Sequence, residues 1–423
     1  MAEELDVAGS GGRNRRRVLG VHRAVPWYRS AVFGVLVLGL VGSIPVLAWG
    51  GVRMIRHSNL GTYHRTVNNP KAPGYQALVD PTSVALVIQR DDAGNPVSLT
   101  MFALGGSREG GSILFIPLDT KLPVPAYGAD RLRSAFGVAT SKAAQDNLVD
   151  RTADVLNVGF TDVIDLKDAD FERLTAKVGP LQIQNPDSGV QVDGTTFPSG
   201  PLSLQPAQVG PFLRASVPFE SDLNRLNRQG LVWQAWLAAI AKSKDPGVVP
   251  GETQSGIGLY LLNLARGPID PETLPVLPDP FSTTGLLVPD GPRVSEIVTS
   301  DVPFPISPHP GVRPVLRLLD GVNGDGLTTS QIQPFVAAGG TIKGIGNGPK
   351  FGQETTVFEY LDPAQRNRAE FLRAALGGKG TLRFNPRASD DVDITVIIGS
   401  DLLDSPSANH AGNTVSLGGG TGG

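Results

Sequence analysis

The chain contains no cysteine, which excludes disulfide staples, thiolate nucleophiles and cysteine-bound metal. Histidine is nearly as scarce. Its five copies, at positions 22, 57, 64, 309 and 410, are too scattered to announce a histidine metal site. An excess of positive charge is missing as well: 37 Lys and Arg stand against 40 Asp and Glu, a formal net charge of −3. A general nucleic-acid partner is therefore not expected, because such binding draws on a basic face that releases counterions. Aromatic residues are few, whereas 52 Gly and 35 Pro imply many turns. What remains is a long chain: 423 residues accommodate two or three domains of roughly 100–200 residues each.

The N-terminus carries the clearest single signal. Residues 1–29 form a polar tail with Arg13, Arg15, Arg16, Arg17, Arg23 and Arg29, and no charge occurs from Ser30 to Val52. About 20 apolar residues cross a bilayer core, so residues 30–53 are predicted to be a single transmembrane helix, with Pro45 as a kink point. The run is longer than the apolar region of an ordinary signal peptide and lacks a small-residue cleavage site. Arginines ahead of the span place the N-terminus in the cytoplasm and the bulk of the chain outside it, at the cell membrane. Residues 54–78, broken by Pro70 and Pro73, are expected to be a stalk.

Strand signals then cluster at Thr82–Ile88, Val97–Leu104 and Ser112–Ile116, as apolar runs typical of strands buried on both faces. A helical pattern spans Ala129–Leu156, and strand and helix alternate through Val163–Asp165, Ala169–Val178 and Leu181–Asn185. An α/β (α+β) sandwich is the expected architecture of a domain covering 79–303. Arg293–Val298 is expected as a late strand or short helix, and 304–311, rich in proline, as a linker. A second, small α/β domain follows over 312–402, and the Ser/Gly-rich 403–423 is expected to be disordered.

One stretch, Phe212–Ile240, concentrates chemistry. Ser221 is a good helix N-cap, and Asp222 follows in the first turn, where the helix dipole favours an anion. Leu226, Gly230, Trp233, Leu237 and Ile240 share one arc at 100° per residue, the predicted buried stripe. Asp222, Arg225 and Gln229 fall on or beside that arc. Charges aimed at a core are costly unless paired or facing a polar ligand. Spacing alone leaves both readings open: a structural Asp222–Arg225 pair, or an anion site.

The order of several short strings resembles the LytR-CpsA-Psr cell-envelope family over about residues 80–303. Ile116-Pro-Leu-Asp-Thr120 is similar to a strand end reading Ile-Pro-Arg-Asp-Thr. Arg133-Ser-Ala-Phe-Gly-Val-Ala139 is similar to a Lys-Ile-Asn-Ala-Ala-Tyr helix start. Phe160–Phe171 with Lys177–Leu181, and then Phe197–Gln208, follow in the family's order. Arg214, Asp222, Arg225, Arg228 and Gln229 match Arg-x-Arg…Asp-x-x-Arg-x-x-Arg-Gln.

The resemblance implies transfer of an anionic glycopolymer from a polyprenyl-pyrophosphate carrier onto peptidoglycan. By the same resemblance Asp119 and Asp222 would be catalytic, and Asp119 would be a ligand for Mg²⁺. Arg133, Arg214, Arg225, Arg228 and Gln229 would bind phosphate. Guanidinium forks suit a pyrophosphate and carboxylates suit Mg²⁺ and proton transfer. The partners implied are the membrane, the polyprenyl-linked polymer and peptidoglycan.

Three positions depart from the pattern: Leu99 for an expected Asp, Leu118 for an Arg, and Ser216 for the second Arg of Arg-x-Arg. Leucine cannot coordinate Mg²⁺ or bind phosphate, so the chemistry is expected to be weakened unless Asp91 or Asp92, in a nearby turn, substitutes.

The second domain resembles the LytR C-terminal domain through Leu319–Leu327, Thr355-Thr-Val357 and Ile398-Gly-Ser-Asp401. Asp320, Asn323 and Asp325 have the look of a calcium loop without its closing Glu, and a plain turn is expected there. Three functions fit these readings: an envelope glycopolymer phosphotransferase, a non-catalytic lipid- or polymer-binding scaffold, and a membrane-bound regulator. The last is disfavoured, since 29 cytoplasmic residues leave no room for a helix-turn-helix.

Overall fold

The structure, a computed structural model, describes residues 67–403 except 107–108, 125–127, 139–140, 283–284 and 387–390. The expected basic tail, transmembrane span, stalk residues 54–66 and all of the expected disordered tail 403–423 except Leu403, which ends a helix, lie outside the described residues. Among the described residues, no helix is long and apolar enough to cross a membrane.

After a short strand, β1 (Gln76–Leu78), the chain builds its first lobe. β2 (Val84–Arg90), β3 (Pro96–Leu104) and β4 (Gly111–Ile116) form a meander. The hairpin β5 (Lys121–Val124) and β6 (Gly128–Arg131) and a 3₁₀ turn, Leu132–Val138, lead into α1 (Ser141–Leu156). The helix expected from Ala129 therefore begins only at Ser141. Its first part is spent on the hairpin, in which Lys121 lies opposite Arg131. Next come β7 (Asp162–Leu166), α2 (Asp168–Thr175), β8 (Leu181–Asn185), β9 (Val190–Val192), β10 (Thr195–Phe197), β11 (Gly200–Leu204) and α3 (Pro206–Arg214). The lobe closes with α4 (Asp222–Lys242), α5 (Gly256–Leu264), β12 (Ile269–Thr273), β13 (Val276–Pro278), β14 (Leu287–Pro289) and α6 (Gly291–Asp301). Arg293–Val298 is thus helical.

The central sheet has the order β12-β4-β3-β2-β7, with β12/β4 and β2/β7 parallel and β3 running against its neighbours. All strands but β3 therefore end at the same edge of the lobe. β2 is buried along its whole length, as its unbroken apolar run predicts. Strand alternation gives the sheet two apolar faces. Val87, Phe102 and Phe115 pack on one side with α2–α5, and Leu86, Met101 and Leu114 on the other with α1 and α6. The lobe is a three-layer α/β/α sandwich.

α4 is the longest described helix and carries the first face. Ser221 accepts from the Leu223 N–H at 3.3 Å, and the predicted stripe is buried. Gly230 sits on the buried stripe of α4, where a Cβ would touch the Phe115 ring of β4 at 3.4 Å, an ordinary contact. Trp233 and Trp236 stack with ring centroids 5.1 Å apart, and both lie near Phe171 of α2.

The second lobe contains β15 (Val315–Asp320), α7 (Thr329–Ala337), β16 (Thr341–Asn347), β17 (Val357–Tyr360), α8 (Arg366–Ala375), β18 (Thr381–Phe384), β19 (Ile394–Ile398) and α9 (Ser400–Leu403). Its sheet order is β1-β16-β15-β19-β17-β18, so the edge strand comes from the far end of the sequence. Part of the expected stalk is therefore structural: Gln76–Leu78 pair with Gly344–Gly346, and the Asn347 side chain donates to the Pro70 and Ala72 carbonyls at 2.8 Å each. The pairing needs Gly346, where an added Cβ would lie 2.0 Å from the Tyr75 carbonyl oxygen. The expected 304–311 linker is likewise held: Thr82 N–H donates to Phe304 O and Gly159 N–H to Ile306 O. Asp320 accepts from the Val322 and Gly324 N–H groups at 2.7 and 2.8 Å, the geometry of a turn.

Asp301 ends α6 at the edge near β12. Burial pushes its pKa up to about 6, aided by the charges of Glu272 and Asp270 and opposed by a hydrogen bond from Ser112. A carboxyl whose folded pKa is raised contributes most stability below its unfolded pKa and loses it as pH rises through the folded value. Folding stability should therefore fall between about pH 4 and pH 6. Asp301→Asn should flatten that slope and stabilise the protein at pH 8 by on the order of 1 kcal/mol, discounted for partial solvent access, in urea titrations.

Candidate functional site

The carboxyl ends of β2, β4 and β7 and the start of β3 converge on the first turns of α4. Open α/β sheets bind ligands at such an edge. Asp222 Oδ2 accepts from the Leu118 backbone N–H at 2.6 Å, and Oδ1 accepts from Arg225 Nε at 3.1 Å. Arg225 also donates through Nη1 to the Val97 carbonyl. One turn on, Gln229 donates to Leu213 O at 2.8 Å and accepts from Ser98 Oγ at 2.9 Å. These contacts tie α4 to the β4–β5 connection, to the start of β3 and to α3.

Arg228 is 1% exposed. Its Nη1 reaches Asp187 Oδ2 at 2.6 Å and Glu220 Oε2 at 2.7 Å, and Nη2 donates to Ala215 O at 3.2 Å. Burial opposes its charge, but the hydrogen bonds of Glu220 and Asp187 prevail and hold its pKa above the ordinary value. Arg214 behaves alike: Nε meets Asp168 Oδ2 at 2.8 Å and Nη2 meets Asp193. Those two carboxylates outweigh the burial penalty, and Arg214 in turn lowers the pKa of Asp193.

Asp119 stands between Arg131 Nη1 at 3.0 Å and Arg133 Nη2 at 2.9 Å, with Lys121 beside it on β5 bound to Asp279 at 2.7 Å. Of the arginines chosen from sequence, Arg133 has the most exposed side chain, at 44%.

The structure places the five expected phosphate-binding residues in different settings. Arg228 and Gln229 are turned into the protein and bonded there, with Arg228 Nε buried and without a partner among the described residues. Asp222 and Arg225 form the structural pair that spacing had left open. Arg214 is held by two carboxylates, and only Arg133 reaches solvent broadly. Sequence reasoning missed Arg131 and Lys121. The cross-strand pairing of a hairpin would have flagged them, but the helical pattern over 129–156 hid it. It also missed Asp168, Asp187, Asp193 and Glu220, whose separations from their arginines carry no local signal.

No family model matches the chain. A teichoic acid transferase, polyisoprenyl-teichoic acid–peptidoglycan transferase TagU of Oceanobacillus iheyensis, is 24% identical over 236 residues, covering 53% of this chain and 72% of that protein. The sequence match and the motif order agree. The match supports the resemblance to the LytR-CpsA-Psr family. Among solved structures, Bacillus subtilis TagV is similar at a TM-score of 0.43 with 15% identity, over 53% of this chain and 96% of that one. A LytR-CPS2A-psr family protein, YwtF (TagT), with bound octaprenyl pyrophosphate lipid, is similar at 0.41 with 14% identity, over 57% and 95%. That likeness is loose, and the relation stands on the sequence match.

Within the first lobe, the departures from the resembled pattern have a structural form. Leu99 and Leu118 belong to the apolar face under α1 and α6, and Leu99 is wholly buried between Ile88 and Ile116. Ser216 is bonded through its backbone to Gln191. Asp91 accepts from the Asn95 N–H at 2.8 Å and closes the β2–β3 turn.

Mg²⁺ prefers several oxygen ligands in octahedral array. Here Asp119 shares one carboxylate oxygen with two guanidinium groups, Leu99 offers nothing, and among the described residues no group of three or more His, Cys, Asp or Glu could hold a metal.

Removing Arg228 would strand Glu220 and Asp187. Arg228→Met should cost about 3–5 kcal/mol in chemical denaturation, the range for breaking a buried ion pair, whereas Arg133→Ala should change stability by less than about 1 kcal/mol.

Proposed function

We propose that this protein serves cell-envelope assembly, binding a polyprenyl-(pyro)phosphate-linked glycopolymer for attachment to peptidoglycan. The observation that carries this reading is the 236-residue match to a protein named as a polyisoprenyl-teichoic acid–peptidoglycan transferase. The geometry lends support: Arg133, Arg131 and Lys121 cluster with Asp119 at the strand ends, where a pyrophosphate would meet guanidinium forks. The uncharged run Ser30–Val52 supports a single-pass anchor with the N-terminus in the cytoplasm and both lobes outside, near a lipid-borne substrate. The second lobe is read as a LytR C-terminal domain on the strings noted above.

A second reading, a binding protein or scaffold without transferase activity, draws on a specific observation. Leu99 and Leu118 are core residues, and four of the five matched phosphate ligands already have internal partners that leave them little exposed. The two readings separate in one experiment on the full chain in detergent. It is given a polyprenyl-pyrophosphate-linked glycan, a peptidoglycan acceptor and Mg²⁺, and both lipid binding and carrier release are measured. Binding without release would retire the transferase reading and leave the scaffold. Arg133→Ala should weaken lipid-pyrophosphate binding about 10- to 100-fold, the loss of a charged hydrogen bond, with the fold intact. An unchanged affinity would remove the proposed site.

A further inference from the structure

The two lobes meet around a cavity of about 120 Å³. One wall is a face of α6, with Gly291 at its N-terminal end and Ser295 and Thr299 bringing hydroxyl groups; Arg313 forms part of another. Arg313 is 4% exposed. Its Nη1 donates to Asn157 O of the first lobe at 3.0 Å, and its Nη2 donates to Val336 O and Gly340 O at the end of α7, at 2.8 and 2.7 Å.

These acceptors are neutral carbonyls, and the Nε–H is buried with no acceptor among the described residues. The other deeply buried arginines are treated differently. Arg90, Arg225 and Arg228 each face a carboxylate. The nearest acid of α1 in sequence, Asp154, is already shared by Arg151 and His309. Burial with no opposing acid pushes the Arg313 pKa down to about 10, so the group is still a cation at neutral pH. A buried cation without a counter-charge is costly, and a cavity beside it is where that charge can be balanced.

We infer that the interlobe cavity binds a small monovalent anion of chloride size, which neutralises Arg313 and completes the joint between the lobes. Arg313 supplies the charge and an unused N–H donor, and Ser295 and Thr299 supply hydroxyl donors. The cavity volume of about 120 Å³ leaves room for chloride or formate. The inference is independent of the proposed envelope role.

The test is thermal unfolding of the full chain in detergent, in sodium chloride and in sodium gluconate at equal ionic strength. Chloride should raise Tm saturably by about 2–4 °C, as a ligand bound only by the folded state does, and gluconate should not. Arg313→Gln should abolish the difference. Should that variant fail to fold, Thr299→Leu keeps the carbonyl bonds of Arg313 and fills the cavity, and it should fold while losing the chloride effect. Equal Tm in the two salts, or an undiminished chloride effect in Thr299→Leu, would overturn the inference and leave only solvent in the cavity.

Discussion

A charged side chain taken out of water must find an opposite charge or a full set of hydrogen bonds, and the first lobe is arranged around that demand. The first two turns of α4 carry Asp222, Arg225, Arg228 and Gln229 into the protein. Each recruits a partner from a different element: the Leu118 N–H after β4, the Val97 carbonyl in β3, Glu220 and Asp187 in flanking loops, and Leu213 in α3. The apolar remainder of α4 then drops Trp233 and Trp236 onto the sheet. Directional bonds fix the register of the helix, and apolar burial provides most of the driving force.

The same demand shapes what the strand edge can bind. A guanidinium already held by a carboxylate grips an added phosphate only by giving up that partner. For Arg228 the exchange would strand two acids. For Arg133 it would cost little, because solvent screens its pair and Arg131 remains on Asp119. On the proposed reading, anion recognition falls to Arg133 just after the β5–β6 hairpin, and the helix start supports it. Leu99 and Leu118 point the same way, since they seal the face under α1 and α6 with apolar contact where the family resemblance implies an acid and a base.

The second lobe is tied to the first by more than a linker. Its sheet borrows β1 from ahead of the first lobe, and Arg313 spans from the end of α7 to Asn157. Chain segments pass between the lobes on both sides of the first one, so the second lobe is not completed by a continuous stretch of sequence.

Local pattern determined a good deal on its own. The apolar runs of β2, β3 and β4, the cap at Ser221 and the stripe from Leu226 to Ile240 follow from periodicity and capping, which act over a few residues. Motif order also carried the family relation, and Asp119, Asp222 and the arginines were picked out from it. Tertiary structure decided the rest. Whether Arg225 meets a ligand or Asp222, whether Gln76–Leu78 is stalk or strand, and whether Arg131 lies on a helix or a hairpin all depend on atoms distant in sequence. Burial and ion pairing are set by which surfaces meet, and spacing along the chain does not encode which carboxylate arrives beside which guanidinium.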